Sequence, residues 1–233
     1  MRAAIISLFP ELIEAGLATS ILGRARQAGK LTATVIDLRA FGIGGYRRVD
    51  DTPYGGGPGM VLMPEPLCAA VDAAIARHDE PCRLIMPSPQ GRRFDQPMAE
   101  ELAAESRPLV ILCGHYEGID ERVRQAYEFE EVSVGDYVLT GGELPALTML
   151  DAAVRLIEGV LGDARSAAID SFSEAAERGL KYPQYTRPAE FRGMRVPEVL
   201  MSGNHAEIAR WREAEAGRAT RNKRPDLSAD AGS

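Results

Sequence analysis

Three short stretches combine glycine, proline and polar residues as a main-chain ligand cradle does. They are Pro87-Ser88-Pro89-Gln90-Gly91, Gly114-His115-Tyr116-Glu117-Gly118 and Thr140-Gly141-Gly142. Each follows a run of strand character: 83–86, 109–113 and 132–139. In open α/β sheets ligands bind beyond the carboxyl ends of strands, so three such loops converging say more than any one alone. The fullest stretch is Val134 to Pro145. It reads as a short buried strand (Tyr137, Val138, Leu139), a glycine turn, and a helix with Glu143 and Pro145 near its start. A carboxylate complements the helix dipole there, and a proline loses no useful N–H. Gly135, Gly141 and Gly142 let bare backbone approach a partner closely. Glycine turns after strands are also ordinary fold punctuation, and this stretch alone leaves both readings open. Neither G-x-G-x-x-G nor G-x-x-x-x-G-K-[ST] occurs, so the fingerprints of dinucleotide and P-loop nucleotide sites are missing.

Other residues could meet a larger partner. Between Phe41 and Gly59 periodicity disappears, and the stretch carries Tyr46, Arg47, Arg48, Tyr54 and a glycine cluster ending at Gly59. A loop this long is either functional or simply mobile. In the helix after Gly142, Leu147, Leu150, Val154, Ile157 and Leu161 form the expected core stripe, with Thr148, Asp151 and Arg155 beside it. Arg155 either faces a ligand or pairs with Asp151, a surface contact worth roughly 0.2–0.5 kcal/mol. From Arg187 to Arg224 nine Lys or Arg stand against five Glu. Trp211 with Arg210, Arg212, Arg218, Arg221, Lys223 and Arg224 makes an RNA-facing surface or a solvated helical face.

Several elements must position these residues. Ala3–Phe9 is apolar enough for a strand buried on both faces. Pro10 opens an amphipathic helix carrying Leu12, Ile13, Leu17, Ile21 and Leu22, and Thr32–Leu38 is a second strand. A helix over 64–77 comes next, then strands from Arg83 and Leu109, a helix capped by Asp95, a short charged helix over 120–127, and a long helix over 204–221. Alternating strands and helices predict an α/β fold with a largely parallel sheet. The chain of 233 residues is 45% apolar, enough for a sizeable core, and its formal charge of −7 argues against an indiscriminate polyanion binder. Cys68, Cys82 and Cys113 are odd in number and lack C-x-x-C spacing, which points to reduced thiols in the cytoplasm. No membrane span or signal peptide is expected. Residues 1–161 are expected as one domain, 162–176 as a flexible linker and 177–233 as a small second domain.

Five blocks, Tyr54-Gly-Gly-Gly-Pro-Gly-Met60, Ser88-Pro-Gln-Gly91, Cys113-Gly-His-Tyr-Glu-Gly-Ile-Asp120, Val134–Pro145 and Tyr185-Thr-Arg-Pro188, stand in the same order as in one known family. The chain resembles the bacterial tRNA (guanine-N1)-methyltransferases of the SPOUT superfamily, over essentially its whole length. The resemblance implies an α/β parallel-sheet domain with a deep trefoil knot, a small α-helical C-terminal domain, and a homodimer with a composite active site. It implies S-adenosylmethionine held by Met86, Pro87, Ser88 and Pro89, by Gly114, Tyr116 and Glu117, and by Val134, Gly135, Tyr137, Leu139, Gly141 and Gly142. Met86 stands where many members have an aromatic, and His115 where Arg is common.

The implied reaction moves a methyl group to N1 of the guanosine at tRNA position 37. Asp170 would be the base, and Arg155 would stabilise charge on O6. Arg47, Arg48, Tyr54, Gly59, Ser171, Arg187, Arg210 and Arg221 would contact the tRNA. Asp170 is expected to reach its working position only when tRNA docks. Mg²⁺ is associated with the family, although the sequence offers no evident ligand cluster. A SPOUT relative acting on another RNA position, or a non-catalytic RNA-binding module, are the alternative readings.

Overall fold

The sheet begins with β1 (Arg2–Ser7), whose side chains are buried from Ala3 onward. A computed structural model describes residues 1–162 and 169–227, in two compact units divided after Gly162. In the first unit, α1 (Pro10–Leu17) and α2 (Ser20–Gln27) lead to β2 (Thr32–Asp37). The short strands β3 (Asp50–Asp51) and β4 (Val61–Leu62) pair antiparallel at the ends of the glycine-rich loop. Then come α3 (Pro64–Ile75), β5 (Arg83–Arg93), α4 (Gln96–Ala104), β6 (Leu109–Leu112), α5 (Glu121–Ala126), β7 (Glu130–Ser133) and α6 (Glu143–Val154). The five longer strands form one sheet of order β2-β1-β6-β5-β7, parallel throughout.

Both faces of this sheet are covered, which is why its strands read as continuous apolar runs. On one face Ile5, Ile85 and Ile111 pack against Ile13 and Leu17 of α1, Leu22 of α2, Met98 and Leu102 of α4, and Met149 and Leu150 of α6. On the other, Ile6, Met86, Val110 and Leu112 meet Leu67 and Val71 of α3 and Val123 of α5. Asp95 caps α4 as its position predicts, its Oδ1 accepting from the Met98 N–H at 3.0 Å.

Four expectations are corrected. The single helix after Pro10 is two helices, because Thr19 turns its hydroxyl back onto the Ala15 and Gly16 carbonyls and Ser20 takes a φ of 51°. Leu12, in the first of them, is exposed. β5 does not stop at Met86. It makes an excursion at 88–91 and rejoins β7, so that Pro87 and Arg92 both stand opposite Val132. Gly91 is required there, since a Cβ would collide with the Glu131 backbone. Tyr137, Val138 and Leu139 are not a buried strand: β7 ends at Ser133, and these three side chains are 58%, 87% and 39% exposed. Finally, α6 stops at Val154. Its buried stripe is Ala146, Met149, Leu150, Ala153 and Val154, with Leu147 only partly buried and Ile157 and Leu161 beyond its end.

In the second unit, residues 163–168 of the expected linker lie outside the described residues. Its described part folds back on the chain at 179–181: the Phe172 N–H donates to the Gly179 carbonyl at 2.7 Å, and Ser171 Oγ accepts from the Lys181 N–H at 2.9 Å. A two-stranded hairpin, β8 (Glu190–Phe191) and β9 (Met194–Arg195), precedes α7 (Glu198–Met201) and α8 (His205–Lys223). The Asn204 side chain caps α8 by accepting from the Glu207 N–H. Near the other end of α8, Thr220 Oγ accepts from the Leu180 N–H at 2.9 Å, tying the helix to the preceding turn.

Candidate active site

Where β5 breaks its pairing and β6 and β7 end, the chain lines an open cavity of about 310 Å³. All three glycine- or proline-rich strips line it. Met86 and Pro87 come from β5 and Ser88 and Pro89 from its excursion, and Gly114, Tyr116 and Glu117 follow β6. Val134, Gly135, Tyr137, Leu139, Gly141 and Gly142 follow β7. Every residue expected at the cofactor therefore borders one cavity. Met86 is also part of the core at 1% exposure, so its side chain both packs the sheet and floors the cavity.

Backbone pairing holds the strips in place. His115 and Gly141 form an antiparallel bridge, and the Gly142 N–H donates to the Gly114 carbonyl at 2.9 Å. Such close passage needs glycine: a Cβ on Gly142 would lie 2.8 Å from the Cys113 Cα. After β7, Ser133 ends the strand by exchanging hydrogen bonds with Gly135, at 3.3 Å from the Gly135 N–H and 3.2 Å to its carbonyl. This turn brings Tyr137 and Leu139 to the cavity rather than the core. The 114–118 strip is also tied to the long loop, because the Glu117 N–H donates to the Met60 carbonyl and the Leu62 N–H to the Gly118 carbonyl, both at 3.0 Å.

The residues fit a methyl donor of nucleoside type. The cavity stands at the small end of the range for ligand pockets. Backbone and apolar groups make up much of its wall, and at Gly141 and Gly142 a Cβ would strike neighbouring protein atoms, so the strips can pack this closely only as glycine. Among the described residues no group of three or more His, Cys, Asp or Glu side chains is placed to hold a metal ion. Burial and the Glu143 carboxylate push the Cys113 thiol well above its usual range, so it remains a neutral neighbour of the site.

Sequence reasoning missed part of this wall. Ile119, Ser133 and Arg124 also border the cavity. In the sequence Arg124 is only one charge of a short charged helix. Its Nε stands 3.4 Å from Glu131 Oε1, and neither that nitrogen nor Glu131 Oε2 has a hydrogen-bond partner among the described residues. The signal available was one of two arginines on a short helix followed by an acidic strand, which is too common to stand out.

The remaining expected site residues divide between the units. Arg155 caps the carboxyl end of α6, with its N–H on the Asp151 carbonyl at 3.3 Å. Arg47, Arg48, Tyr54 and Gly59 lie on the exposed loop before β4, where Tyr54 is wholly exposed and Arg48 pairs with Asp51 at 3.2 Å. In the second unit Asp170 pairs with Lys181 Nζ at 3.0 Å, beside Ser171. Arg187 borders a second cavity, of about 440 Å³, with Tyr185 and Trp211, whose rings stand 6.3 Å apart. Arg210 and Arg221 are exposed on α8.

Comparison with known proteins agrees with this arrangement. The family model for tRNA (Guanine-1)-methyltransferase TrmD matches residues 1–230. A tRNA (guanine-N(1)-)-methyltransferase of Anaeromyxobacter dehalogenans is 55% identical over 227 residues, covering 97% of this chain and 90% of the relative. Proteins of the same name from Moorella thermoacetica and Geobacillus kaustophilus are 52% and 51% identical, over 98% and 97% of this chain and 90% and 91% of theirs. By this match along nearly its full length, the chain belongs to the tRNA (guanine-1)-methyltransferase family.

Proposed function

We propose that this protein transfers the methyl group of S-adenosylmethionine to N1 of the guanosine at tRNA position 37. The observation that carries this reading is the convergence of three separate strips on one glycine-walled cavity, in a chain of this family. When bound, the donor supplies an electrophilic methyl on a sulfonium. Main-chain groups of 87–89, 114–117 and 134–142 would hold its nucleoside, and Tyr137 and Leu139 would cover it from solvent.

Asp170 and Arg155 carry the chemistry in this account. N1 of neutral guanine bears a proton, and its lone pair becomes available as that proton leaves. Asp170 takes the proton, exchanging its present Lys181 partner for N1–H. Negative charge then spreads to O6, where the Arg155 guanidinium stabilises it. Ser171 and the exposed arginines of the long loop and of α8 position the RNA, with Arg187 beside the Tyr185–Trp211 pair. Two chains form the working unit, the second unit of one serving the cavity of the other inside a knotted fold. The protein works in the cytoplasm, and no helix among the described residues is long and apolar enough to cross a membrane.

The test is direct. The protein is incubated with unmodified tRNA and labelled donor, and the tRNA is digested to nucleosides. Label in 1-methylguanosine from position 37 is the expected result. Label in another nucleoside, or none, would overturn the proposal.

A further inference from the structure

Glu143 is a carboxylate at 2% exposure in the first turn of α6, immediately after the Gly141–Gly142 wall of the cavity. Its Oε1 accepts a 2.8 Å hydrogen bond from Ser7 Oγ at the end of β1. The Ser7 oxygen itself accepts from the Phe9 N–H at 2.8 Å. The other carboxylate oxygen, Oε2, faces His115 Nδ1 at 3.9 Å. That nitrogen is buried and has no hydrogen-bond partner among the described residues. A bare lone pair on Nδ1 would repel the carboxylate, whereas a proton there makes the contact attractive.

Gly141 lies over both atoms. A Cβ on it would run into Glu143 Oε2 and stand 2.5 Å from His115 Nδ1. Because His115 and Gly141 also pair through their backbones, the side-chain contact and the cavity wall are mechanically one piece. Phe9 and Tyr116 place their rings 4.9 Å from the imidazole, and the buried Cys113 thiol near Glu143 stays protonated.

We infer that Ser7, Glu143 and His115 form a proton-dependent latch that positions the glycine wall of the donor cavity. His115 is a positioning residue in this account, acting on the donor through Gly141. The inference rests on the methyl-donor reading of the cavity. With His115 charged, the Glu143 carboxylate has a counter-ion and Gly141 is seated. With His115 neutral, its proton on Nε2 and Nδ1 bare, the buried carboxylate keeps only the neutral Ser7 donor, and the wall loosens. Donor-site affinity therefore falls as pH rises and His115 gives up its proton.

Calorimetric titration of the full-length protein with S-adenosylhomocysteine tests this. That probe has no sulfonium, so attraction between Glu143 and the donor's reactive centre cannot produce the pH dependence. Between about pH 5.5 and 8.5 the wild-type Kd is expected to rise about tenfold, the effect of roughly one unit of coupling between two ionised groups. His115→Arg, permanently charged, should bind tightly with a flat profile. His115→Asn should bind weakly and flatly, and Glu143→Gln should also lose the pH dependence. Thermal melting confirms that each variant is folded, and the two His115 variants keep the test informative if Glu143→Gln does not fold. A flat wild-type profile, or a wild-type profile retained in His115→Asn, would overturn the latch. Absence of binding at every pH in the wild type would instead remove the donor reading, and the latch with it.

Discussion

Glycine at 141 is set by its surroundings, because the direction a side chain would take is occupied by Glu143 and His115. Gly141→Ala is therefore expected to displace the wall and weaken donor binding by more than about tenfold, consistent with roughly 1–3 kcal/mol for overpacking a tight site. Equilibrium dialysis with labelled donor measures it, and unchanged affinity would mean that Gly141 does not border the donor. Arg155 makes a different demand. Arg155→Ala should lower the single-turnover rate by on the order of 10²–10³ while leaving donor affinity intact, the usual cost of removing an oxyanion donor. Arg155→Lys should not restore it, since an ammonium does not reproduce the guanidinium fork. Recovery of the rate in the lysine variant would assign Arg155 a role as simple countercharge.

At the scale of elements, loops and caps were legible where backbone geometry demands particular residues. The three strips could be found because glycine and proline mark places where chain must pass close to chain. Asp95 could be read as a cap because a side-chain oxygen must meet the free N–H groups of a helix start. The strand misread at Tyr137–Leu139 has the opposite cause. Aromatic and branched residues signal burial without saying against what, and here they face a cavity rather than a core. The break between α1 and α2 was hidden for a similar reason, since a threonine hydroxyl bonding backwards leaves apolar spacing unchanged. Glu105, at the end of α4, gives an element-scale prediction. The Arg107 guanidinium holds its carboxyl down to about 2, below the usual 4.5. That stabilisation is complete above about pH 4.5 and is lost as pH falls toward 2. Melting temperature should decline over this window, and Glu105→Gln should melt lower at neutral pH with a shallower acid decline. An identical acid profile in the variant would show that the pair does not contribute.

For the whole molecule, the acidic total charge conceals an uneven distribution, with nine Lys or Arg against five Glu between Arg187 and Arg224. Binding of tRNA through this region should weaken steeply with salt, at a log–log slope near 0.7–0.9 per phosphate contacted. Filter binding between about 50 and 200 mM salt measures that slope, and a flat dependence would exclude the arginines as the source of affinity. The covalent pattern of the chain said less about assembly, because pairing between subunits leaves no periodic signature and the residues expected to act together lie in different units. The account's central claim is that Arg155 of one chain and Asp170 of another act on the same guanine. Mixing the Arg155→Ala and Asp170→Asn proteins, allowing subunits to exchange and following labelled methyl transfer into tRNA tests it most directly. Each variant alone should be nearly inactive, and the mixture should recover roughly a quarter of wild-type activity, because half of the dimers regain one intact site of two. A mixture no more active than its parts would contradict the shared site.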